Sequence, residues 1–415
     1  MTVTASFIPS ARQAYVDANA GCMHWLLDRP LLGPGFLNSK QNSITLADYT
    51  DADGIRGPGY TYGWIQGRGL EALATHAAYF EPTDPALAEK IDAVARPLYA
   101  LLQTLWDRHG HAYFCYDAAM RPVIAAADGT TEPQTAPPDV YTYSDIFVLK
   151  GLIAASARYD AKSLDRYLAQ LPALVAAIES DRFQMDERQA LSLKAAASQP
   201  KDFGPRMILL GAAGMLTRIG HPEAASFADR FVDFVLEHHL DATTGLLRNV
   251  PGGDVSNIGH GIELVGFALD YMPADTDPLL VRKLETILLG SFNIGFQGPG
   301  VRLTASVETG EVTSPICPWW SLPETIRSAA LCYERTGNPA TLEVWRKAHA
   351  AFYDHYWRGA PAIAYQTMTA DGPLDFVPAT PDLDPGYHTG LSLLAAIEAA
   401  DRTGASSVVK TQAGA

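Results

Sequence analysis

The chain has 415 residues, of which 31 are Lys or Arg and 46 are Asp or Glu, so its formal net charge is −15. This acidic balance argues against a nucleic-acid-binding protein and against a protein of anionic membrane surfaces, since both need basic patches. Hydrophobic residues make up 47% and charged residues 19% of the chain, a composition typical of a compact fold with a large buried core.

The sequence carries no recognisable targeting or membrane segment. The N-terminal stretch MTVTASFIPSARQAYV lacks a basic region followed by an apolar one, and nowhere do about 18 apolar residues follow each other. These features predict a cytoplasmic protein. The four cysteines form no CxxC pair and are expected to be reduced thiols in the core rather than disulfide or zinc ligands.

Apolar residues recur with helical spacing along nearly the whole chain. Gly220 ends one helix and Pro222 opens the next, while Gly337 and Asn338 separate another pair. The pattern predicts twelve helices, at residues 9–28, 62–80, 85–108, 143–159, 162–180, 204–219, 222–239, 259–273, 277–291, 319–336, 339–357 and 387–402.

Two properties alternate along these helices. Short connections alternate with long ones, and helices that are apolar on all sides alternate with amphipathic, charged helices. An inner ring of six helices inside an outer ring of six accounts for both, so the sequence predicts an all-α (α/α)6 toroid of about twelve antiparallel helices. We expect residues 1–403 to form one catalytic barrel domain and residues 404–415 to be a flexible tail. Short β-hairpins are expected in the long loops at one end, for example between AYFCYD and RPVIAA.

Polar and aromatic residues cluster in the first turns of the even-numbered helices. If every helix reverses direction, these turns lie at the same end of the toroid as the long loops, where their side chains would converge on one pocket. The candidates are Trp64, Arg68, Tyr143, Asp145, Arg206, His260, Glu263, Trp319, Trp320, Glu324, Tyr387 and His388.

These residue types together are typical of a sugar site, where an indole ring stacks on the apolar face of the sugar and charged groups bind its hydroxyls. Glu263 and Glu324 lie in apolar helices, so each must pair with a histidine, with Arg68 or with a substrate hydroxyl. An ion pair that only stabilises the ring, and aromatic side chains that only fill the core, are the structural alternatives. The HxxE segment at His260 could also bind a metal together with His388 and Glu324. The aromatic and arginine neighbours favour a neutral sugar, so we predict no metal and no cofactor.

Five motifs resemble, in order, those of the N-acylglucosamine 2-epimerase superfamily, and the resemblance covers roughly residues 55 to 400. GWIQGRG is similar to the family's W-x-x-x-R and YSDIFVLKGL to its S-D-x-F-x-x-x-G-L. GHGIEL is similar to G-H-x-x-E, PWWSLPE to W-W-x-x-x-E, and GYHTG to Y-H. This superfamily of (α/α)6 barrels includes N-acylglucosamine 2-epimerase, cellobiose 2-epimerase, mannose isomerase and sulfoquinovose isomerase. The resemblance implies a cofactor-independent isomerase or 2-epimerase that acts on an unphosphorylated sugar.

The resemblance also implies roles for the candidates. His260 and His388 would be the acid/base pair, one of them removing the proton next to the carbonyl of the opened sugar to form a cis-enediolate between C1 and C2. Such a weakly acidic proton requires a base with a pKa near neutrality and stabilisation of the enediolate oxygen. Arg68 would stabilise that oxygen, Glu263 and Glu324 would orient the histidines or bind hydroxyls, and Trp320 would stack on the sugar. From their placement at the same pocket, the expected substrate-binding residues are Trp64, Tyr143, Asp145, Arg206, Trp319, Trp320 and Glu324.

The chain departs from the family's pattern at the wall of the pocket. The family often has an arginine three residues after the Y-H histidine, where this chain has Leu391. Gly266 and Phe267 stand where the family often has small residues and a tryptophan. The identity of the sugar therefore does not carry over, and neither does the choice between 2-epimerisation and aldose–ketose isomerisation.

Three other functions remain open at this point. A glycoside or unsaturated-uronide hydrolase on the same toroid would use Glu263 and Glu324 as paired carboxylates. A sugar-binding barrel would bind without catalysis, and a metal-dependent isomerase would be sensitive to chelators. In each case we expect a small-molecule sugar ligand and no nucleic-acid or membrane partner, with a homodimer as the candidate assembly.

Overall fold

The computed structural model describes residues 4–125, 130–376 and 382–413. The α-helices in these ranges are α1 Thr4–Leu27, α2 Gly63–Phe80, α3 Pro85–His109, α4 Tyr143–Tyr159, α5 Ala161–Leu168, α6 Leu171–Glu179, α7 Leu193–Ser198, α8 Gly204–Arg218, α9 Ala228–His238, α10 Ile258–Tyr271, α11 Pro278–Gly295, α12 Ser321–Thr336, α13 Pro339–Ala351 and α14 Ser392–Ala413. The strands are β1 Tyr60–Tyr62, β2 Cys115–Asp117, β3 Pro122–Ala125, β4 Thr131–Pro133, β5 Tyr141–Thr142, β6 Phe183–Gln184, β7 Val255–Asn257, β8 Thr304–Ser306, β9 Cys317–Pro318, β10 Thr367–Thr369 and β11 Gly372–Pro373.

All twelve predicted helices are present, and the structure divides two of them. The predicted helix 222–239 consists of a 3-10 turn, Pro222–Ala225, followed by α9 Ala228–His238. The predicted helix 162–180 is interrupted between α5 and α6, because Pro172 in the first turn of α6 has no N–H to continue the hydrogen-bond ladder of α5. The short helix α7 was not predicted; the Ser192 hydroxyl caps it by accepting a hydrogen bond from the Ala195 N–H. The last helix was predicted to end at residue 402 but continues to Ala413. The flexibility of residues 404–415 stays a prediction.

The described residues divide into two compact units. The N-terminal unit comprises residues 22–125, 130–227 and 382–387, and the C-terminal unit comprises residues 4–21, 228–376 and 388–413. The prediction of one domain over residues 1–403 is untested by this division and stays a prediction.

In the C-terminal unit, α12 packs between α10 and α14. The helices α10 and α12 are buried along most of their length. The helices α11 and α13, which pack against them, are capped at their N-termini by Asp277 and Asn338 and alternate buried with exposed positions. The predicted alternation of buried and amphipathic helices is therefore present in this unit.

In the N-terminal unit, α2 and α4 approach each other so closely that their backbones touch. A Cβ atom at Gly67 would lie 2.5 Å from the Phe147 carbonyl carbon, and one at Gly151 would lie 2.5 Å from the Gly67 carbonyl oxygen. Only residues without a side chain fit at these two positions. This contact sets the first turns of α2 and α4, which carry four of the candidate residues, side by side.

Replacing Gly67 by Ala should lower the free energy of unfolding by about 1–3 kcal/mol, the usual cost of overpacking. The added methyl group would meet main-chain atoms of Phe147 and Val148, which cannot move without separating the two helices. Urea denaturation would measure the change. Gly404→Ala is the matched control, since its Cβ would meet nothing within 4 Å; a stability of Gly67→Ala equal to that of the control would contradict the close packing.

Short strands stand directly before four of the buried helices. β1, β5 and β7 end one residue before α2, α4 and α10, and β9 ends shortly before α12. Each strand is hydrogen-bonded to another, as in the antiparallel β1–β2–β3–β4 sheet and the β11–β10–β9 sheet. The predicted hairpin between AYFCYD and RPVIAA is confirmed as β2–β3. These pairings fix where each helix begins, and so where its first-turn side chains lie.

The four cysteines are buried and form no disulfide, as predicted. Within the three described ranges, no helix combines the length and the apolar content that crossing a membrane would need.

Candidate active site

Three predicted residues of the C-terminal unit and an arginine that was not predicted form a buried group, which we call the histidine–carboxylate cluster. Its members are Glu263 on α10, Glu324 and the unpredicted Arg327 on α12, and His388. His388 Nδ1 lies 2.9 Å from Glu324 Oε1 and 3.9 Å from Glu263 Oε1. Arg327 Nη1 lies 3.1 Å from Glu324 Oε2. Glu324 is thus engaged by a cation at one oxygen and by a histidine at the other.

The charge state of Glu324 follows from these contacts. Burial, with an exposed fraction of 0%, raises the pKa of Glu324, but the Arg327 guanidinium and the hydrogen bond from His388 outweigh it, so its pKa lies below the ordinary value. An ionised carboxylate can only accept hydrogen bonds. His388 Nδ1 must therefore carry the proton that it donates to Glu324, so that in the neutral form of the ring the lone pair lies on Nε2.

Trp320 lies against both candidate histidines. Its ring centroid is 5.4 Å from that of His260 and 5.8 Å from that of His388, with interplanar angles of 33° and 34°. Gly259 makes room for the indole, because a Cβ atom there would lie 2.5 Å from the Trp320 ring. Trp319 meets His388 edge to face at 6.2 Å. The structure therefore brings all six predicted residues of this unit together.

Glu263, Glu324 and His388 each offer a donor atom, and these atoms lie within 4.8 Å of one another. A divalent cation accepts such a spacing and such donors. The Arg327 guanidinium, however, already supplies a positive charge 3.1 Å from Glu324 Oε2, and a second cation beside it would be repelled. The donor set therefore does not fit a metal well, and we assign no metal ligand.

The N-terminal unit holds a second group, the arginine–aromatic cluster, formed by Arg68, Trp64, Phe147 and Tyr387. The guanidinium carbon of Arg68 lies 4.1 Å from the ring centroid of Phe147, 4.5 Å from that of Trp64 and 5.0 Å from that of Tyr387. Three ring faces around one planar cation stabilise it electrostatically and hold its orientation. Arg68 is therefore a fixed positive charge.

A buried ion pair supports the arginine–aromatic cluster. Lys150 Nζ donates a 2.5 Å hydrogen bond to Tyr387 Oη and lies 3.2 Å from Glu71 Oε2, and the side chains of Lys150 and Glu71 are almost fully buried. Removing one partner of such a pair would leave the other charge uncompensated. The pair therefore fixes the Tyr387 ring against Arg68.

Tyr143 also belongs to this region of the N-terminal unit. Its ring meets Trp64 edge to face at 5.5 Å, and its hydroxyl donates a 2.5 Å hydrogen bond to Glu187 Oε2. Burial raises the pKa of Glu187, and the hydrogen bond from Tyr143 only partly offsets this. Glu187 lies in the loop after β6, so a loop residue contributes a carboxyl group here.

Two predicted residues make other contacts. Asp145 caps α4: its carboxylate accepts hydrogen bonds from the Thr142 and Ala112 N–H groups and lies 3.3 Å from His111 Nδ1. Arg206 is half-buried in the first turn of α8, where burial lowers its pKa and nearby carboxylates partly restore it. The substrate-binding roles of both residues stay predictions.

The sequence analysis did not select several residues of the two clusters and of the side chains that contact them. Arg327 and Lys150 are charged residues inside apolar helices, a signal that could have identified them. Glu187 has no comparable signal, because it lies in a polar loop. The missed residues are Glu71, Phe147, Lys150, Glu187 and Arg327.

No model of a known protein family matches the chain, and no curated protein matches its sequence. Solved structures do match it. A cellobiose 2-epimerase from Spirochaeta thermophila has a TM-score of 0.68 at 16% identity, over 95% of this chain and 98% of that one. A D-mannose isomerase has a TM-score of 0.66 at 13% identity, over 95% and 99%. A possible member of the GH105 family from Salmonella enterica has a TM-score of 0.50 at 13% identity, over 94% and 95%.

The first two of these carry names, cellobiose 2-epimerase and mannose isomerase, that also occur in the superfamily which the sequence motifs resemble. The predicted fold class is therefore confirmed, and the resemblance holds at the level of the fold.

Proposed function

We propose that the protein is a sugar isomerase or 2-epimerase that moves a proton by histidine catalysis. The observation that carries the proposal is the hydrogen bond from His388 Nδ1 to the ionised Glu324, in a fold shared with a cellobiose 2-epimerase and a D-mannose isomerase. This bond leaves His388 Nε2 as a basic nitrogen beside the Trp320 ring, on which a sugar can stack.

The reaction begins with the open-chain form of the sugar. One of the two histidines removes the proton from C2, the electrons of that bond form the C1–C2 double bond, and the carbonyl oxygen becomes an enediolate oxygen. The proton then returns to the other face of C2, which gives the epimer, or to C1, which gives the ketose. A base that is neutral near pH 7 suits both steps, because it accepts the proton and can give it back.

Arg68 has the role that the resemblance assigns to it, stabilisation of the enediolate oxygen. Three aromatic rings hold its guanidinium in place, so little reorganisation accompanies the appearance of negative charge. Glu263 accepts a hydrogen bond from a sugar hydroxyl or from His388, and the small-molecule sugar is the only partner that the proposal needs. No cofactor takes part in it, and the cytoplasmic location and a homodimer stay predictions.

The hydrolase alternative requires two carboxylates that reach the glycosidic bond. Glu263 and Glu324 are close enough, but Glu324 is 0% exposed and both of its oxygens are engaged, by His388 and Arg327. A low pKa also makes Glu324 unsuited to protonate a leaving group. The pair therefore favours proton transfer by histidine over glycoside hydrolysis.

Proton NMR in D2O tests the proposal. The enzyme, pretreated with EDTA, is incubated with mannose, glucose, fructose, N-acetylmannosamine, cellobiose and a uronic-acid sugar, beside the same sugars without enzyme. We expect deuterium at C2 or C1 of one sugar, together with its epimer or ketose, because an enediolate exchanges its proton with solvent.

Three results would contradict the proposal. Cleavage of a glycosidic bond without deuterium uptake would establish the hydrolase. Sugar binding without any exchange would indicate a non-catalytic barrel. Exchange that disappears with EDTA and returns with a divalent cation would establish a metal-dependent isomerase.

A further inference from the structure

Glu187 is a carboxylic acid for which the proposed reaction has so far given no role. It lies in the loop after β6, and its Oε2 accepts a 2.5 Å hydrogen bond from the hydroxyl of Tyr143, the first residue of α4. Its neighbours Asp186 and Arg188 pair with each other, whereas Glu187 reaches back to the helix. A carboxyl group that leaves water in this way is costly unless other groups use its hydrogen-bonding capacity.

Tyr143 connects Glu187 to an aromatic surface of the N-terminal unit. The ring centroid of Tyr143 lies 4.6 Å from that of Phe114 and 5.5 Å from that of Trp64. Burial and the nearby Glu187 raise the pKa of Tyr143, so its hydroxyl keeps its proton and is the donor in this pair. On the other side, Trp64 lies against the Arg68 guanidinium. Polar groups at the edge of aromatic rings are the arrangement in which proteins bind sugars.

The second oxygen of Glu187 is available to a ligand. Within the described ranges, no group donates a hydrogen bond to Glu187 Oε1, and the side chain is partly exposed, so this oxygen is not sealed in the core. Burial raises the pKa of Glu187 because the hydrogen bond from Tyr143 replaces only part of the water that the ionised form needs. A hydroxyl group of a ligand would supply the missing donor.

We propose that Glu187 is a specificity-determining residue of the proposed sugar site: Tyr143 holds one carboxyl oxygen, and the other accepts a hydrogen bond from a hydroxyl group of the sugar. The inference rests on the proposed function for the nature of the ligand, but binding can be measured without turnover. A carboxyl group that only attaches its loop to α4 would have no effect on the binding of any polyol.

The test uses alditols, because mannitol, glucitol and cellobiitol carry the hydroxyl groups of open-chain sugars but have no carbonyl group and cannot be converted. Isothermal titration calorimetry measures their Kd. We expect at least one of them to bind the unaltered protein, and Glu187→Ala to raise its Kd about tenfold, the usual effect of losing one hydrogen bond at a buried acceptor. Glu89→Ala is the matched control, because Glu89 is exposed on α3 of the same unit; its Kd should be unchanged.

Deoxy derivatives of the bound alditol distinguish a direct hydrogen bond from a rearranged loop. Removing the hydroxyl that Glu187 binds should raise the Kd of the unaltered protein about tenfold. The same removal should hardly change the Kd of Glu187→Ala, whose acceptor is already absent. Tyr143→Phe provides a second variant, since it removes the hydroxyl that orients Glu187 and keeps the aromatic ring. We expect it also to raise Kd, so it decides the question where Glu187→Ala does not fold.

An unchanged Kd in the folded Glu187→Ala variant, or in Tyr143→Phe where only that variant folds, would overturn the inference. So would an equal effect of each deoxy derivative on the unaltered and variant proteins, or the failure of all three alditols to bind. The proposed function has a separate readout, the uptake of deuterium by a sugar. Alditol binding that depends on Glu187, without conversion of any sugar, would leave the hydroxyl-binding role in place and refute only the proposed function.

Discussion

His388→Asn should lower the rate of deuterium uptake at the sugar carbon, and kcat with it, by about 10²–10⁴-fold, the usual contribution of a positioned acid or base. Asparagine can still donate a hydrogen bond to Glu324 but has no basic nitrogen to replace Nε2. Because the side chain remains polar and similar in size, KM should change much less than kcat. Steady-state kinetics and NMR exchange rates on the sugar identified in D2O would measure both.

His349→Asn is the matched control for this variant. His349 lies in the same C-terminal unit, is half-buried, and contacts the Tyr15 hydroxyl at 3.1 Å, outside the histidine–carboxylate cluster. Its replacement should leave the exchange rate within about twofold of the unaltered enzyme, because a substitution that shares no contacts with a site rarely changes that site. A His388→Asn enzyme that exchanges as fast as the His349→Asn control would remove His388 from the mechanism.

The loss of kcat in His260→Asn distinguishes an isomerase from a hydrolase. A mechanism with two histidines loses its second proton-transfer group and should be nearly inactive, whereas a hydrolase with paired carboxylates should be affected mildly. The His260 ring lies against Trp320, and asparagine keeps a polar side chain at this position. Urea denaturation of the variant shows whether the fold is kept, so that a change in rate can be attributed to the chemistry.

The helices could be predicted from the sequence because the buried face of a helix requires apolar residues at the helical spacing of three to four positions. An apolar helix such as α10 can only be buried, and a polar residue in its first turn is recognisable as an exception. The interruption between α5 and α6 was not predicted, because the apolar period continues across it and only the backbone of Pro172 breaks the ladder.

The site could be predicted in its residues but not in its partners. His388 and Glu324 were both candidates, but their hydrogen bond joins positions 64 residues apart in the chain, and periodicity holds no information on such a pair. The same holds for Lys150 and Tyr387, which are 237 residues apart. Glu187 could not be predicted at all, since a carboxylate in a polar loop is ordinary until the loop folds back on Tyr143.

The departure from the family pattern at Gly266 and Phe267 has a structural explanation in the C-terminal unit. The chain has Leu391 where the family often has an arginine, and Gly266 with Phe267 where a tryptophan is often found. In the structure, Gly266 and Phe267 accommodate the guanidinium of Arg327. The cluster thus obtains a cation from α12, and the residues of α10 that depart from the pattern are those that give it space.

Arg68→Lys is expected to have an effect of similar size to that of the histidine variants. Lysine keeps the positive charge, but its compact ammonium group on a flexible stem cannot stack on three ring faces as a planar guanidinium does. The charge would no longer be held where the enediolate oxygen forms, so kcat should fall about 10²–10³-fold, as when one donor to a developing oxyanion is lost. KM should change little, because the interaction strengthens only as the negative charge develops.

Arg96→Lys is the matched control for Arg68→Lys, since Arg96 also lies over an aromatic ring of the N-terminal unit, 4.5 Å from the centroid of Tyr159, but is exposed on α3. Its exchange rate should match that of the unaltered enzyme. If Arg68→Lys raises KM and leaves kcat unchanged, Arg68 binds the sugar equally in the ground state and in the transition state, and the enediolate oxygen must be stabilised by another group. If kcat alone falls, the three rings hold the Arg68 charge in position before the reaction. Little reorganisation energy is then needed when the short-lived enediolate forms.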